Sequence, residues 1–351
     1  MFASFSLLIL IPVFLVAAAI VWLAGIHLST TTDVIASRFG IGQELGGLIF
    51  LAITTNLPEM AIVVSASFSH NVGIAIGNIL GGIAIQTVVL VVLDGFGLRR
   101  KAALSYEAAS LQLVLEGALV IGVLVVSIMG TQLPGSVIFA RLAPGDLLIT
   151  ILWLVGLWLI KRARRDLPWQ ERGHAPDTSP PGKRGEQEKT KKWSTPRVLL
   201  VFLSAALVTL IAGFVLEESS TAIADHIGLS GVLFGATILA AATALPEIST
   251  GLASVNIGDY HMAISDIFGG NAFLPVLFLL ATLISNQAVL SRAQKSDIYL
   301  ASLGALLTAV YIYGLIFRPK RQVFNLGIDS LVVLILYIVG IVGLFAISSI
   351  K

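Results

Sequence analysis

The chain has 351 residues, of which 56% are hydrophobic and 12% charged, and its mean hydropathy is +0.94. Repeated apolar runs of about 18 residues or more exclude a soluble globular domain, and with it a nucleic-acid-binding surface. Cysteine is absent, which excludes a disulfide framework, a thiolate metal site and a thiol nucleophile.

Ten apolar spans follow in chain order, near 5–26, 43–68, 72–95, 103–128, 145–162, 197–217, 229–255, 260–285, 297–317 and 325–348. The first has no positive charge before it, so it reads as a retained span, although Ala17-Ala18-Ala19 imitates a signal-peptide cleavage site. Between the fifth and sixth spans runs a polar segment, Arg164 to Pro196, rich in Lys, Arg, Glu, Gly and Pro, which reads as a disordered tether. With the N-terminus outside, only Arg141, Arg292, Lys295 and Lys351 of the 22 basic residues fall outside. The rest fall in inside loops, the tether above all. That asymmetry puts both termini outside and the tether in the cytoplasm of a plasma or inner membrane.

Five spans before the tether mean that the second half enters the membrane from the opposite side. A shift of 188 aligns residues 55–84 with 243–272 without gaps, matching Thr55, Leu57, Pro58, Glu59, Ala75, Ile76, Ile79, Gly81, Gly82 and Ala84. Antiparallel repeats with interrupted helices at corresponding positions mark an alternating-access carrier. The expected fold is an all-α polytopic membrane protein of about ten transmembrane helices in two inverted five-helix repeats. Residues 1–163 form one repeat, 164–196 the linker and 197–351 the other.

The aligned motifs carry the chemistry. Thr55-Asn56-Leu57-Pro58-Glu59 and Thr243-Ala244-Leu245-Pro246-Glu247 each place a carboxylate after a helix-breaking proline inside an apolar run. A charge at mid-helix in lipid costs roughly 2.5–3.5 kcal/mol, so a matched pair points to a cation site. Pro58 leaves the Thr54 carbonyl without its helical donor, and Pro246 does the same for Ala242. Those carbonyls, the hydroxyls of Thr54, Thr55 and Thr243, and the Asn56 amide add oxygen to the two glutamates. An all-oxygen shell suits hard cations such as Ca²⁺ and Na⁺, and protons compete for its carboxylates. The next spans supply Asn78 and Gln86, then Asp266 and Asn271, while Gly73, Gly77 and Gly81 form one smooth face for a neighbour.

With Gly77-Asn78-Ile79-Leu80-Gly81 and Gly269-Gly270-Asn271-Ala272-Phe273, these motifs make nearly the whole chain resemble the calcium/cation antiporter superfamily, which includes the sodium/calcium exchangers. The resemblance implies that Glu59 and Glu247 are shared Ca²⁺ ligands, and that Thr55 and Thr243 give Na⁺ or Ca²⁺ oxygens. The chain departs from the family pattern where a Ser is usual: Asn56 and Ala244 after the threonines, Gly82 and Gly270 in the glycine turns. Four residues on, where exchangers carry Asn or Asp, stand Gln86 and Leu274. Two readings therefore stay open, Na⁺/Ca²⁺ exchange and cation/H⁺ antiport on the same glutamates.

Other polar residues have plainer expectations. Asp266 is either a ligand or a cap for the eighth span. Glu116 makes a hydrogen bond within the bundle, and Glu217 and Glu218 form a solvated outer rim. Asp94 and Glu107 pair with Arg99, Arg100 and Lys101 at the interface. His27, His70, His226 and His261 lie in loops, and His174 in the tether. Gly-x-Gly-Asp and His-Glu-x-x-His are both absent, so an intramembrane hydrolase is not expected. No cofactor and no obligate protein partner are expected; the partners are inorganic cations and the lipid bilayer.

Overall fold

A computed structural model describes residues 2, 4–39, 53–97, 102–135, 141–163, 192–256 and 258–349. Almost all of them are helical. Helix α1 spans Leu7–Arg38, α2 Leu57–Phe68 and α3 Val72–Val92, which ends in a π-turn at Leu93–Gly97. The short α4 (Leu104–Ala108) precedes α5 (Leu111–Thr131) and α6 (Pro144–Ala163). The second half begins with α7 (Thr195–Ile227). A broken span follows, made of α8 (Gly231–Phe234), a π-turn at Gly235–Leu239, α9 (Ala240–Thr243) and α10 (Leu245–Asn256). Next come α11 (Tyr260–Phe273) and α12 (Leu277–Ser285), joined by a 3₁₀ turn at Leu274–Val276, then α13 (Lys295–Phe317) and α14 (Ile328–Ser349). A two-residue hairpin, β1 (Gln322–Val323) with β2 (Leu326–Gly327), sits just before α14.

Local chemistry sets the helix ends. Asp259 accepts from the Met262 N–H at 3.0 Å and starts α11, and Ser110 caps α5 through the Leu113 N–H at 3.2 Å. Gln294 and Asp297 close a capping box on α13. Gly228 ends α7 at φ +69°, a left-handed conformation that suits glycine.

Among the described residues eight helices are long and apolar enough to cross a membrane, or nine if the pair Gly231–Thr243 and Leu245–Asn256, bent by 41°, is one span. The expected span 43–68 lies partly outside the described residues; its described part, 53–68, is helical on both sides of a turn at Asn56 and includes α2. The tether 164–196 also lies outside them, except for its last five residues. Two expected spans are too short: 5–26 continues to Arg38, and 197–217 to Ile227. Both extensions are polar, yet they remain helical because α1 and α7 lie along each other. The hydroxyls of Thr30 and Thr31 fold back onto carbonyls of their own helix. Arg38 donates to the Trp193 carbonyl at 2.6 Å and to Thr195 at 3.1 Å, so the end of α1 meets the start of α7 and the two run antiparallel.

The remaining packing runs both across the two parts of the chain and within each. Helix α2 packs on α7, and α10 packs on α1; α3 packs on α13, and α11 on α5; α5 pairs with α6, and α13 with α14. Each pair has a counterpart on the other side of the tether, an arrangement compatible with inverted repeats. The span Val72–Phe96 is the most buried, whereas α1, α7 and α14 expose Leu8, Leu23, Leu200, Leu203 and Val342 to the outside, as lipid-facing helices do.

Candidate functional site

Both Pro-Glu motifs open helices. Pro58 stands in the first turn of α2 behind Asn56, and Pro246 in the first turn of α10 behind Ala244. Proline is tolerated there because the first-turn N–H has no helical partner to lose. Each break leaves a glutamate in the first turn, where the helix dipole favours negative charge. Glu59 is 0% exposed and Glu247 2%.

Glu59 accepts from the Gln86 amide at 3.4 Å, and the Thr243 hydroxyl of the opposite half stands beside it. Its other oxygen, Oε2, has no partner. Neither oxygen of Glu247 has one, and this carboxylate lies within electrostatic reach of Glu59 and Asp266. Thr250, one turn beyond Glu247, donates to Asp266 Oδ2 at 3.2 Å. Asn271 donates to Thr87 at 3.2 Å, and its own carbonyl oxygen is free. A Cβ on Gly270 would sit 3.0 Å from the Asn56 amide nitrogen and 3.6 Å from Gln86 Oε1, so these three close one corner of the site. Thr54 and Thr55 are buried in a helical stretch that ends at the Asn56 turn before α2. Asn78 is buried too, but its side-chain atoms meet no hydrogen-bond partner; its backbone packs against the π-turn at Gly235.

The opposite corner is different. The position 188 after Asn56 is Ala244, after Gln86 it is Leu274, and Gly82 corresponds to Gly270. A Cβ on Gly82 would meet Leu274 Cδ1 at 3.5 Å. One corner thus offers amide oxygens, and the other only apolar side chains.

Close backbone approach holds the frame. Gly77 and Gly81 press on the backbone of Val232 and Ala236 in the broken span, so the glycine face does meet a neighbour, whereas Gly73 has 3.8 Å to spare from Val232 Cγ2. Gly25 of α1 meets Pro246, and Gly213 of α7 meets Ala61 and the Pro58 carbonyl. These two glycines are 188 residues apart, a signal that extends the repeat and that the alignment of 55–84 left unread. Thr87 and Thr250 also join the site without having been expected; each is adjacent in sequence or one turn from an expected ligand.

Several expectations need correction. Asp266 does not cap its helix, since Asp259 does. Glu217 is no solvated rim: it is 1% exposed and accepts from Ser65 at 2.7 Å and Thr221 at 3.2 Å, because α7 continues past it against α2. It borders a cleft of about 210 Å³ shared with Glu218, Asp225, Asn71 and Ser69. The expected partners of Asp94, Arg99, Arg100 and Lys101, lie outside the described residues; Asp94 itself is buried rather than interfacial and accepts the backbone N–H groups of Leu104 and Gly327. His226 lies in the last turn of α7, its Nδ1 2.7 Å from the Ala222 carbonyl, and His27 and His261 are also helical. Glu116 does take a hydrogen bond, from Gln112 at 2.6 Å. Among the described residues no group of three or more His, Cys, Asp or Glu is arranged to hold a metal ion, so side-chain amides, hydroxyls and carbonyls would have to complete any shell.

The sequence profile of the family described as Sodium/calcium exchanger protein matches residues 9–161 and 197–346. The chain belongs to that family. It is therefore a membrane transporter rather than an enzyme. The match breaks at the polar tether and resumes after it. Among relatives, this chain is 26% identical over 298 residues to "Inner membrane protein YrbG" of Escherichia coli K12, covering 83% of this chain and 85% of that one. It is 26% identical over 282 residues to "Putative antiporter CaxA" of Alkalimonas amylolytica, covering 79% and 82%. Its fold matches the H⁺/Ca²⁺ exchanger CAX with a TM-score of 0.68 at 14% identity, covering 97% of this chain and 85% of that one. The sodium-calcium exchanger NCX_Mj matches with 0.61 at 15% identity, covering 96% and 99%.

Proposed function

We propose that this chain exchanges Ca²⁺ for Na⁺ across a cell membrane by alternating access. Ca²⁺ would be held between Glu59 and Glu247, one glutamate from each inverted half. The observation that carries this is the pair itself: two buried carboxylates within electrostatic reach, three of whose four oxygens have no partner. Uncompensated buried charge is costly, and a hard cation removes the cost. Thr55, Thr243, Asn56, Gln86, Thr54, Asn78, Asp266 and Asn271 would supply further oxygens to the ions on the way through. The halves would be 1–163 and 197–351, with both termini outside and the linker 164–196 in the cytoplasm.

Helices α1 and α7 suit the moving part, since each crosses the proline of the opposite half through one glycine. Binding neutralises the glutamates, and the neutral site can then pass from one exit to the other.

A second reading, Ca²⁺/H⁺ exchange, draws support from the apolar corner. Ala244, Gly82 and Leu274 offer no side-chain oxygen where a Na⁺ would need several, whereas a proton needs only a glutamate. The test is ⁴⁵Ca²⁺ uptake into proteoliposomes loaded with Na⁺, set against sodium-free liposomes carrying only a pH gradient, with Glu59→Gln as control. Na⁺-dependent uptake lost in the variant is expected. Uptake with the pH gradient alone would make the proton the counter-ion, and none in either arm would remove Ca²⁺ as substrate.

A further inference from the structure

A second pair of buried carboxylates lies apart from the glutamates. Asp94 is in the π-turn after α3, eight residues beyond Gln86 and so about 12 Å further along the axis. Asp329 is in the first turn of α14. They are 0% and 6% exposed. Gly327 separates them: a Cβ there would lie 2.6 Å from Asp329 Oδ1 and 3.1 Å from Asp94 Oδ2. Gly314 backs Asp329 from the other side, where any Cβ would collide with its carboxylate.

The two acids are held differently. Asp94 receives the N–H of Leu104 at 2.7 Å and of Gly327 at 2.6 Å, one on each oxygen. No well-formed hydrogen bond closes on either oxygen of Asp329, although the backbone N–H groups of Asp329 and Ser330 stand near it. Three hydroxyls stand around the pair. Ser105, itself without a partner, is beside Asp329. Ser330 is beside Asp94 and 3.1 Å from the Tyr311 hydroxyl. Among the described residues, the cations on this side contact Tyr106: Arg318 donates to its carbonyl and lies over its ring at 4.9 Å, with its Nε unpartnered, and Lys320 lies over the same ring at 5.4 Å.

We infer that Asp94, Asp329, Ser105 and Ser330 form a binding site for a hard divalent cation of the Ca²⁺ type, separate from the glutamate site. Two buried carboxylates within electrostatic reach carry the charge such an ion neutralises, and the set offers the oxygens it prefers. An ion there ties together the ends of α3, α4 and α14 and the hairpin, all at one end of the bundle. The corresponding place in the other half lacks the second acid. Thr282, 188 residues after Asp94, takes its position, receives the Val289 N–H at 3.4 Å and stands beside Asp146.

The probe is Tb³⁺, excited through tyrosine because Tyr311 touches the site, on the purified full chain carrying Glu59→Gln and Glu247→Gln. One saturable signal is expected, displaced by Ca²⁺. Its apparent affinity should fall about ten-fold or more with Asp329→Asn and stay unchanged with Asp146→Asn. Should Asp329→Asn not fold, Ser105→Ala is the second variant, with a loss of about two- to five-fold expected. The absence of saturable tyrosine-sensitised emission in the double-Gln chain would overturn the proposal. So would unaltered affinity in Asp329→Asn, or in Ser105→Ala where that variant stands in.

Discussion

In proteoliposomes, Glu247→Gln is expected to lower Ca²⁺ exchange by about 100-fold or more, since losing one partner of a buried charged set costs about 3–5 kcal/mol. Gln keeps the volume and the fold but removes one of the two charges facing the ion. Neither oxygen of Glu247 is used by the protein itself, so little native structure depends on its charge. The same substitution should raise the melting temperature of the metal-free protein. It removes a buried negative charge that lies within reach of Glu59 and Asp266. Calorimetry in a chelator and ⁴⁵Ca²⁺ flux together check both halves of this result. A variant that transports within a few-fold of the parent would remove Glu247 from the ion path.

The second large effect is steric and lies away from the charges. Gly81→Ala puts a methyl into the backbone of Ala236, on a helix that cannot retreat without shifting the broken span and, with it, Thr243 and Glu247. Overpacking of this kind costs about 1–3 kcal/mol, and more where backbone is the obstacle. Gly73→Ala, two turns earlier on the same face, meets only Val232 Cγ2 at 3.8 Å. It should be neutral, or stabilise by up to about 1 kcal/mol through helix propensity. Thermal unfolding of the two variants in detergent compares them directly. Equal melting temperatures would mean that α3 does not need its close approach to the broken span.

The two Pro-Glu motifs were legible because proline, carboxylate and glycine are rare and informative in apolar sequence, and because the offset of 188 repeats them. The fold class followed from hydropathy for the same reason. What stayed hidden were contacts that close over long sequence distances. Asp94 lies five residues before Arg99, and nothing near it in sequence announces that it also takes the N–H of Gly327, 233 residues away. Glu217 looked like the end of a span because Glu218, Asp225 and His226 follow it. The helix continues because Glu217 meets Ser65 of α2 and Ala222, Ile223 and Ala224 are buried, while Asp225 and His226 are exposed. Gly25 and Gly213 share the offset of 188, but a lone glycine in an apolar run carries little signal. Its meaning appears only where each one meets a proline of the other half.

The most direct test of the shared site is equilibrium ⁴⁵Ca²⁺ binding to the full chain and to Glu59→Gln, Glu247→Gln and the double variant. If both glutamates hold one ion, each single variant loses the same increment of binding as the double variant. If the losses of the two single variants add up to that of the double, the glutamates serve separate ions, and the account of a site shared between inverted halves is wrong.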